Sequence, residues 1–184
     1  MKALGKNYKD TEASSDTFER LPVGGYVCRI KAVEDVTAKE YLSVIYDIAE
    51  GEHKGFYSDD WSDQHPFAHR FVLSYKETAL GMFKGRLKAI DASNGTDFEQ
   101  QAVNGFNERE LIGKLVGLII GEEEYESDRG EVKTRLAVRS VVSVDRIRSG
   151  DFKIPEVKKL KAKAEAPTDG FTSFTGIDES NIPF

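Results

Sequence analysis

The sequence predicts a mainly β domain: one antiparallel sheet of five strands, one or two short helices and a disordered C-terminal tail. Three observations carry this. Apolar and polar residues alternate with a period of two around residues 26–32, 41–48 and 132–147, the spacing of strands with one buried face. Residues 77–92 instead repeat apolar side chains at steps of three and four, the spacing of one helix face. Beyond Pro155 the chain turns to lysine, alanine and acids, a composition that builds no core.

Residues 1–20 are polar and unpatterned and read as a flexible N-terminal arm. Leu21-Pro22-Val23-Gly24-Gly25 punctuates the chain before the first strand. There Tyr26, Cys28, Ile30 and Ala32 share the apolar face, while Arg29 and Lys31 take the other. After Thr37-Ala38-Lys39 a second strand puts Leu42, Val44, Tyr46 and Ile48 on one side, and the short gap makes the pair an antiparallel hairpin. Phe56, Tyr57 and Trp61 suggest a third strand or an aromatic-rich loop, and His69–Tyr75 a further short strand. The helix follows, with Leu80, Phe83, Leu87 and Ile90 inward and Ser93-Asn94-Gly95-Thr96 ending it. Residues 96–107 read as a loop and 108–113 as a helical turn. Lys114–Tyr125 and Val132–Ile147 are two strands around the turn Ser127-Asp128-Arg129-Gly130. Strands, helix, then two more strands is the order of a five-stranded Greek-key β-barrel of the OB type, although a general α+β sandwich shares the raw pattern. The domain is bounded at 21–155, with a linker over 156–177 and a separate tip at 178–184.

The chain of 184 residues carries a formal net charge of −6 and 32% charged residues. It has no apolar run near the roughly 20 residues a membrane span needs, no apolar leader segment, and a single cysteine, Cys28. These features point to a cytoplasmic protein without membrane partners or disulfides. The charge is uneven. Residues 132–164 hold ten Lys or Arg against three acids, whereas residues 165–184 hold four acids and no base. A uniformly basic nucleic-acid coat is excluded; a basic segment followed by an acidic tail is not.

No phosphate-binding loop, serine nucleophile elbow or HExxH pair is present, and the chain is read as a non-enzyme that needs no cofactor and no metal. His65 and His69 stand four apart, but Pro66 between them opposes a helix interior. Asp59, Asp60 and Asp63 offer cation ligands to a nuclease-type site, yet no Glu-x-Lys follows, and the segment reads as a polar loop. The stronger pattern is basic. Lys133, Arg135 and Arg139 share one side of the last strand, and Arg29 and Lys31 one side of the first. Each taken singly is an ordinary solvated residue; together they suggest a groove that neutralises phosphates. Tyr41, Phe56, Tyr57, Trp61 and Phe67 fall off the apolar faces, as rings that stack bases must. Of these, Tyr41, Phe56, Tyr57 and Trp61 are assigned with the five cations to a DNA-binding surface.

The chain ends Asp178-Glu179-Ser180-Asn181-Ile182-Pro183-Phe184, an acidic stretch before an apolar tip suited to a partner's pocket. It resembles the tails of bacterial single-stranded DNA-binding proteins, which are disordered, acidic and end in Asp-Ile-Pro-Phe or close to it. Ser180-Asn181 stands where those tails usually carry further acids. In the body, Leu21-Pro22-Val23-Gly24-Gly25-Tyr26, Glu50-Gly51-Glu52-His53-Lys54-Gly55-Phe56-Tyr57 and Leu111-Ile112-Gly113-Lys114-Leu115-Val116-Gly117 resemble a family of small phage proteins of Gram-positive hosts. Those are found in replication and recombination gene clusters and are regarded as OB-fold single-stranded DNA-binding proteins. The resemblance implies a non-catalytic protein that coats single-stranded DNA in a bacterial host cell. Its tail residues Asp178, Glu179, Ile182, Pro183 and Phe184 would recruit replication or recombination proteins. Such proteins include monomers and homo-oligomers. The rival reading is an OB-type adaptor of a phage replisome with no DNA grip of its own, which the net charge of −6 favours.

Overall fold

The computed structural model describes residues 20–160, the side chains of Asp60 and Trp61 excepted. Residues 1–19 and 161–184, which include the tip expected to bind partners, lie outside the described residues.

Five strands form one antiparallel sheet. β1 (Gly24–Val36) pairs with β2 (Tyr41–Ile48), and β2 with β3 (Arg70–Ser74). β4 (Leu115–Glu126) takes the other edge of β1, and β5 (Val132–Val142) pairs with β4. The resulting order is β3-β2-β1-β4-β5. The mainly β, OB-like class expected from the sequence is therefore found, with one correction: the barrel is not closed. β3 and β5 run side by side without a ladder between them. β3 has only five residues, and the Arg86 guanidinium donates to its Val72 carbonyl, taking an acceptor that a closing strand would need.

Inside the curl, Cys28, Val44, Leu73, Leu87, Ile90, Leu111, Val116 and Leu118 are wholly buried. Two bulges adjust which residues face in. On β1, Ile30 opposes Tyr46 and Ala32 opposes Ile45, so Lys31 is the extra residue. After it the inward position passes to Val33, opposite buried Val44, and Ala32 turns out, contrary to simple alternation. On β5, Ser140 opposes Ile119 and Val138 opposes Ile120, leaving Arg139 extra. Both bulges thus fall on cations, which keep their charged ends outside while the apolar phase shifts.

The helix α2 (Leu80–Asn94) packs Leu87 and Ile90 against the sheet, as its periodicity requires, but Leu80 is 49% exposed. Gly95 ends it in the left-handed region at φ 66°, where a residue without Cβ is least strained. Asn94 then reads the start of β4 as a strand would. Its Nδ2 donates to the Leu115 carbonyl (2.8 Å), and its Oδ1 accepts from the Leu115 N–H (2.9 Å). Asp91 caps the short α3 (Phe98–Gln101) by accepting from the Phe98 and Glu99 N–H groups. A 3-10 turn at Glu108–Leu111 supplies the expected helical turn.

Of the two readings for Phe56, Tyr57 and Trp61, the loop is the one found, and it runs into α1 (Asp60–Gln64). β5 stops at Val142, and Val144–Arg148 forms the short helix α4, which lays Ile147 against Gly117. The segment expected as linker from 156 is not yet free. The Lys158 N–H donates to the Glu122 carbonyl (3.0 Å) and its carbonyl accepts from the Glu124 N–H (2.9 Å), covering the β4 edge that β1 leaves open.

Candidate nucleic-acid interface

The five cations assigned from the sequence all have partners. Arg29 Nη1 donates to the Gly113 carbonyl (2.9 Å), and Lys31 pairs with Asp63 (3.7 Å). Lys133 pairs with Glu131 (3.0 Å). Arg135 holds Glu123 through Nε and Nη2, both at 2.8 Å, and its guanidinium lies 5.2 Å from the Tyr125 ring centre. Arg139 is half-buried and donates to the Glu122 carbonyl (3.1 Å). The cause lies in register. The turn 127–131 sets the acid run of β4 against the basic run of β5, so Glu123 faces Arg135 and Tyr125 faces Lys133. Nor do the two basic sets make one groove. Arg29 opposes Leu115 and Arg135 opposes Glu123, eight residues further along β4. At about 3.3 Å per residue that is roughly 26 Å.

The aromatic residues divide. Tyr41 is half-buried on the outer side of the β1–β2 hairpin. Phe56 is half-buried against the core, edge-on to His53 (6.1 Å) and Tyr57 (5.0 Å). Tyr57 is corrected from a surface stacker to a core residue. It is 6% exposed and stacks on His69 at 4.7 Å, and burial pushes its phenol up to about 12. Its N–H is held by Asp47, a buried carboxylate that also accepts from the Ile48 N–H and the Ser58 hydroxyl. The side chain of Trp61 lies outside the described residues.

The histidines and acids of this loop have structural roles. Asp59 caps α1 by accepting from the Ser62 N–H (2.7 Å), and the Ser62 side chain first, with this N–H second, holds its carboxyl below the usual range. His69 is 1% exposed in the Tyr46–Tyr57–Phe71 cluster. Among the described residues, no group of three His, Cys, Asp or Glu side chains is placed to hold a metal.

The structure assembles a different constellation at the open seam. A pocket of about 340 Å³ lies between β3 and β5, lined by Phe67, Arg70, Val72, Arg86 and Arg135 among others. Pro66 starts the 3-10 turn Pro66–His69, which presents Phe67 68% exposed. Arg70 opens β3 and is exposed. Arg86 reaches in from α2, half-buried, and burial lowers its pKa from the ordinary value. Among the described residues, no carboxylate pairs with Arg70 or Arg86, in contrast to Arg135. Arg70 is free to take a phosphate with two parallel N–H bonds, whereas Arg86 already gives Nη1 to the Val72 carbonyl and offers only its remaining N–H groups. An exposed ring beside it offers a face for a base.

Sequence reasoning missed Arg70 and Arg86 because each sits singly in an unremarkable context. Only the fold brings a strand start, a helix face and a turn to one seam. Phe67 was visible as a ring off the apolar faces. The pairing that occupies the β4–β5 cations was also visible, as a run of Glu over 122–126 and a run of Lys and Arg over 133–139 on either side of a tight turn.

No protein-family model and no curated protein matches this chain. Among the described residues, no helix is long and apolar enough to cross a membrane.

Proposed function

We propose that this chain is a non-catalytic single-stranded DNA-binding protein of phage or prophage type. It coats DNA during replication or recombination in the cytoplasm of a bacterial host. The observation that supports this best is the seam, where two arginines without carboxylate partners among the described residues stand beside an exposed phenylalanine. The ring serves any base, because every base has a π-face, and the arginines serve the backbone. Binding is therefore sequence-tolerant and favours single strands, since no helix is set to read a major groove. The tail residues Asp178, Glu179, Ile182, Pro183 and Phe184 recruit replication or recombination proteins, a role supported by their resemblance to bacterial tails.

The test is a salt titration with labelled oligo-dT and a duplex competitor. Tight, salt-sensitive binding that duplex does not displace supports the reading; no binding at low salt ends it. One observation favours a second reading, an OB-type adaptor without a DNA grip: all five cations assigned from the sequence are already engaged. The adaptor reading predicts no oligo-dT binding, together with partner capture that is lost in Phe184→Ala.

A further inference from the structure

A second pocket, of about 560 Å³, opens between the β1–β2 hairpin, the first turns of α2 and the segment after α3. It continues the apolar face of α2 beyond the core. Leu87 is fully buried at its floor, Phe83 is half-buried, Leu80 is 49% exposed, and Val103 on the opposite wall is 86% exposed. Apolar side chains gathered around a cavity and left to water mark a docking site rather than a finished surface. The rim has a sign. Lys84 is paired with Glu99 (3.0 Å), whereas Asp35 and Glu108 have no cation partner among the described residues. Asp35 accepts hydrogen bonds from the Tyr75 and Thr37 hydroxyls, which leaves its charge in place. The occupant therefore carries apolar side chains and positive charge.

Outside the described residues, apolar side chains occur near both ends of the chain, and Phe171, Phe174 and Ile177 lie within residues 165–184, which hold four acids and no base. The tip at 178–184 has the wrong sign, since Asp178 and Glu179 would meet Asp35 and Glu108. Residues 1–9 have the right one: Lys2, Lys6 and Lys9 with no acid, interleaved with Met1, Leu4 and Tyr8. The tether also fits. Arg20 is held on β4 by Glu122 (3.0 Å), and the twelve residues from Tyr8 to Arg20 span at most roughly 40 Å. That is about the diameter of a domain this size. A short tether raises the effective concentration to about millimolar, so a weak contact suffices. We propose that residues 1–9 dock into this pocket of their own chain, with Leu4 and Tyr8 in the apolar cleft and the lysines on Asp35 and Glu108.

Zero-length carbodiimide cross-linking of the full chain, read by mass spectrometry, tests this. A mixture of isotopically heavy and light protein separates links within one chain from links between chains. The expected result is links from Lys2, Lys6 or Lys9 to Asp35, Glu99 or Glu108 within one chain. They should fall about tenfold in a Leu4→Ser/Tyr8→Ser variant that keeps every lysine, the effect of losing roughly 1.4 kcal/mol of apolar burial. Three results overturn the proposal: no such links, links undiminished in the variant, or heavy–light links only, which would place the arm in a second copy. Linkage of these lysines chiefly to the β4 acids would overturn it as well.

Discussion

Arg70→Ala, Phe67→Ala and Arg135→Ala should separate in a single-stranded DNA titration, because the structure gives the three residues different surroundings. Among the described residues Arg70 has no carboxylate partner, so its loss should remove one phosphate contact. The slope of log affinity against log salt should then flatten by about 0.7. Between 50 and 200 mM salt that lessens the fall in affinity by roughly 2.6-fold. Phe67 carries no charge. Its loss should weaken binding at every salt by about 1–3 kcal/mol, or roughly 5- to 150-fold, with the slope unchanged. Arg135 is already spent on Glu123, which Lys158 also approaches at 3.7 Å. Its removal should leave the slope nearly untouched. All three side chains are exposed, so folding should be preserved, and thermal melts would check this. The assay is fluorescence anisotropy on labelled oligo-dT over a salt series. A flattened slope for Arg135→Ala with an unchanged one for Arg70→Ala would refute the reasoning, because the phosphate contact would then fall on the Glu123-paired cation of the pocket and not on the unpaired one.

Other outcomes follow from packing and burial. A Cβ at Gly117 would lie 2.7 Å from the Ser143 carbonyl oxygen and 2.9 Å from that of Val142, so Gly117→Ala should cost about 1–3 kcal/mol, seen as a lower melting temperature. At Gly25 the obstacle is the ring of Phe152 alone, a side chain on a loop that can swing, so Gly25→Ala should cost less; equal losses would contradict this account. Burial, with Lys31 second, lowers the pKa of His69, whose Nδ1 is buried without a partner. Charging it is therefore penalised in the folded state. Stability should be undiminished above the ordinary value near 6.5 and fall as pH drops below it, and denaturant titrations of His69→Phe should lack that component. Cys28 is wholly buried, and desolvation raises its thiol pKa, so a thiol reagent should label the chain only at the rate of unfolding.

Much of the fold was legible in the sequence because it rests on local periodicity. Cys28 and Ile30, Leu42 to Ile48, and Leu87 and Ile90 lie inside as their spacing requires, and Ser93-Asn94-Gly95 ends α2. The β1–β2 and β4–β5 pairings followed from short connections, whereas the β1–β4 pairing did not. Three further things needed the tertiary structure. The bulges at Lys31 and Arg139 shift the inward phase by one residue, and a pattern of period two carries no mark of where that happens. Tyr57 is in the core because the loop that carries it folds back onto His69 and Asp47, contacts distant in sequence. The seam exists because β3 is too short and too engaged with Arg86 to close the barrel. Charge content is a property of the sequence, and the uneven distribution of Lys and Arg was plain from it. Whether a charge is free is a property of distance. Only the fold decides that Arg135 faces Glu123 across a ladder while Arg70, on the same pocket, meets no carboxylate among the described residues.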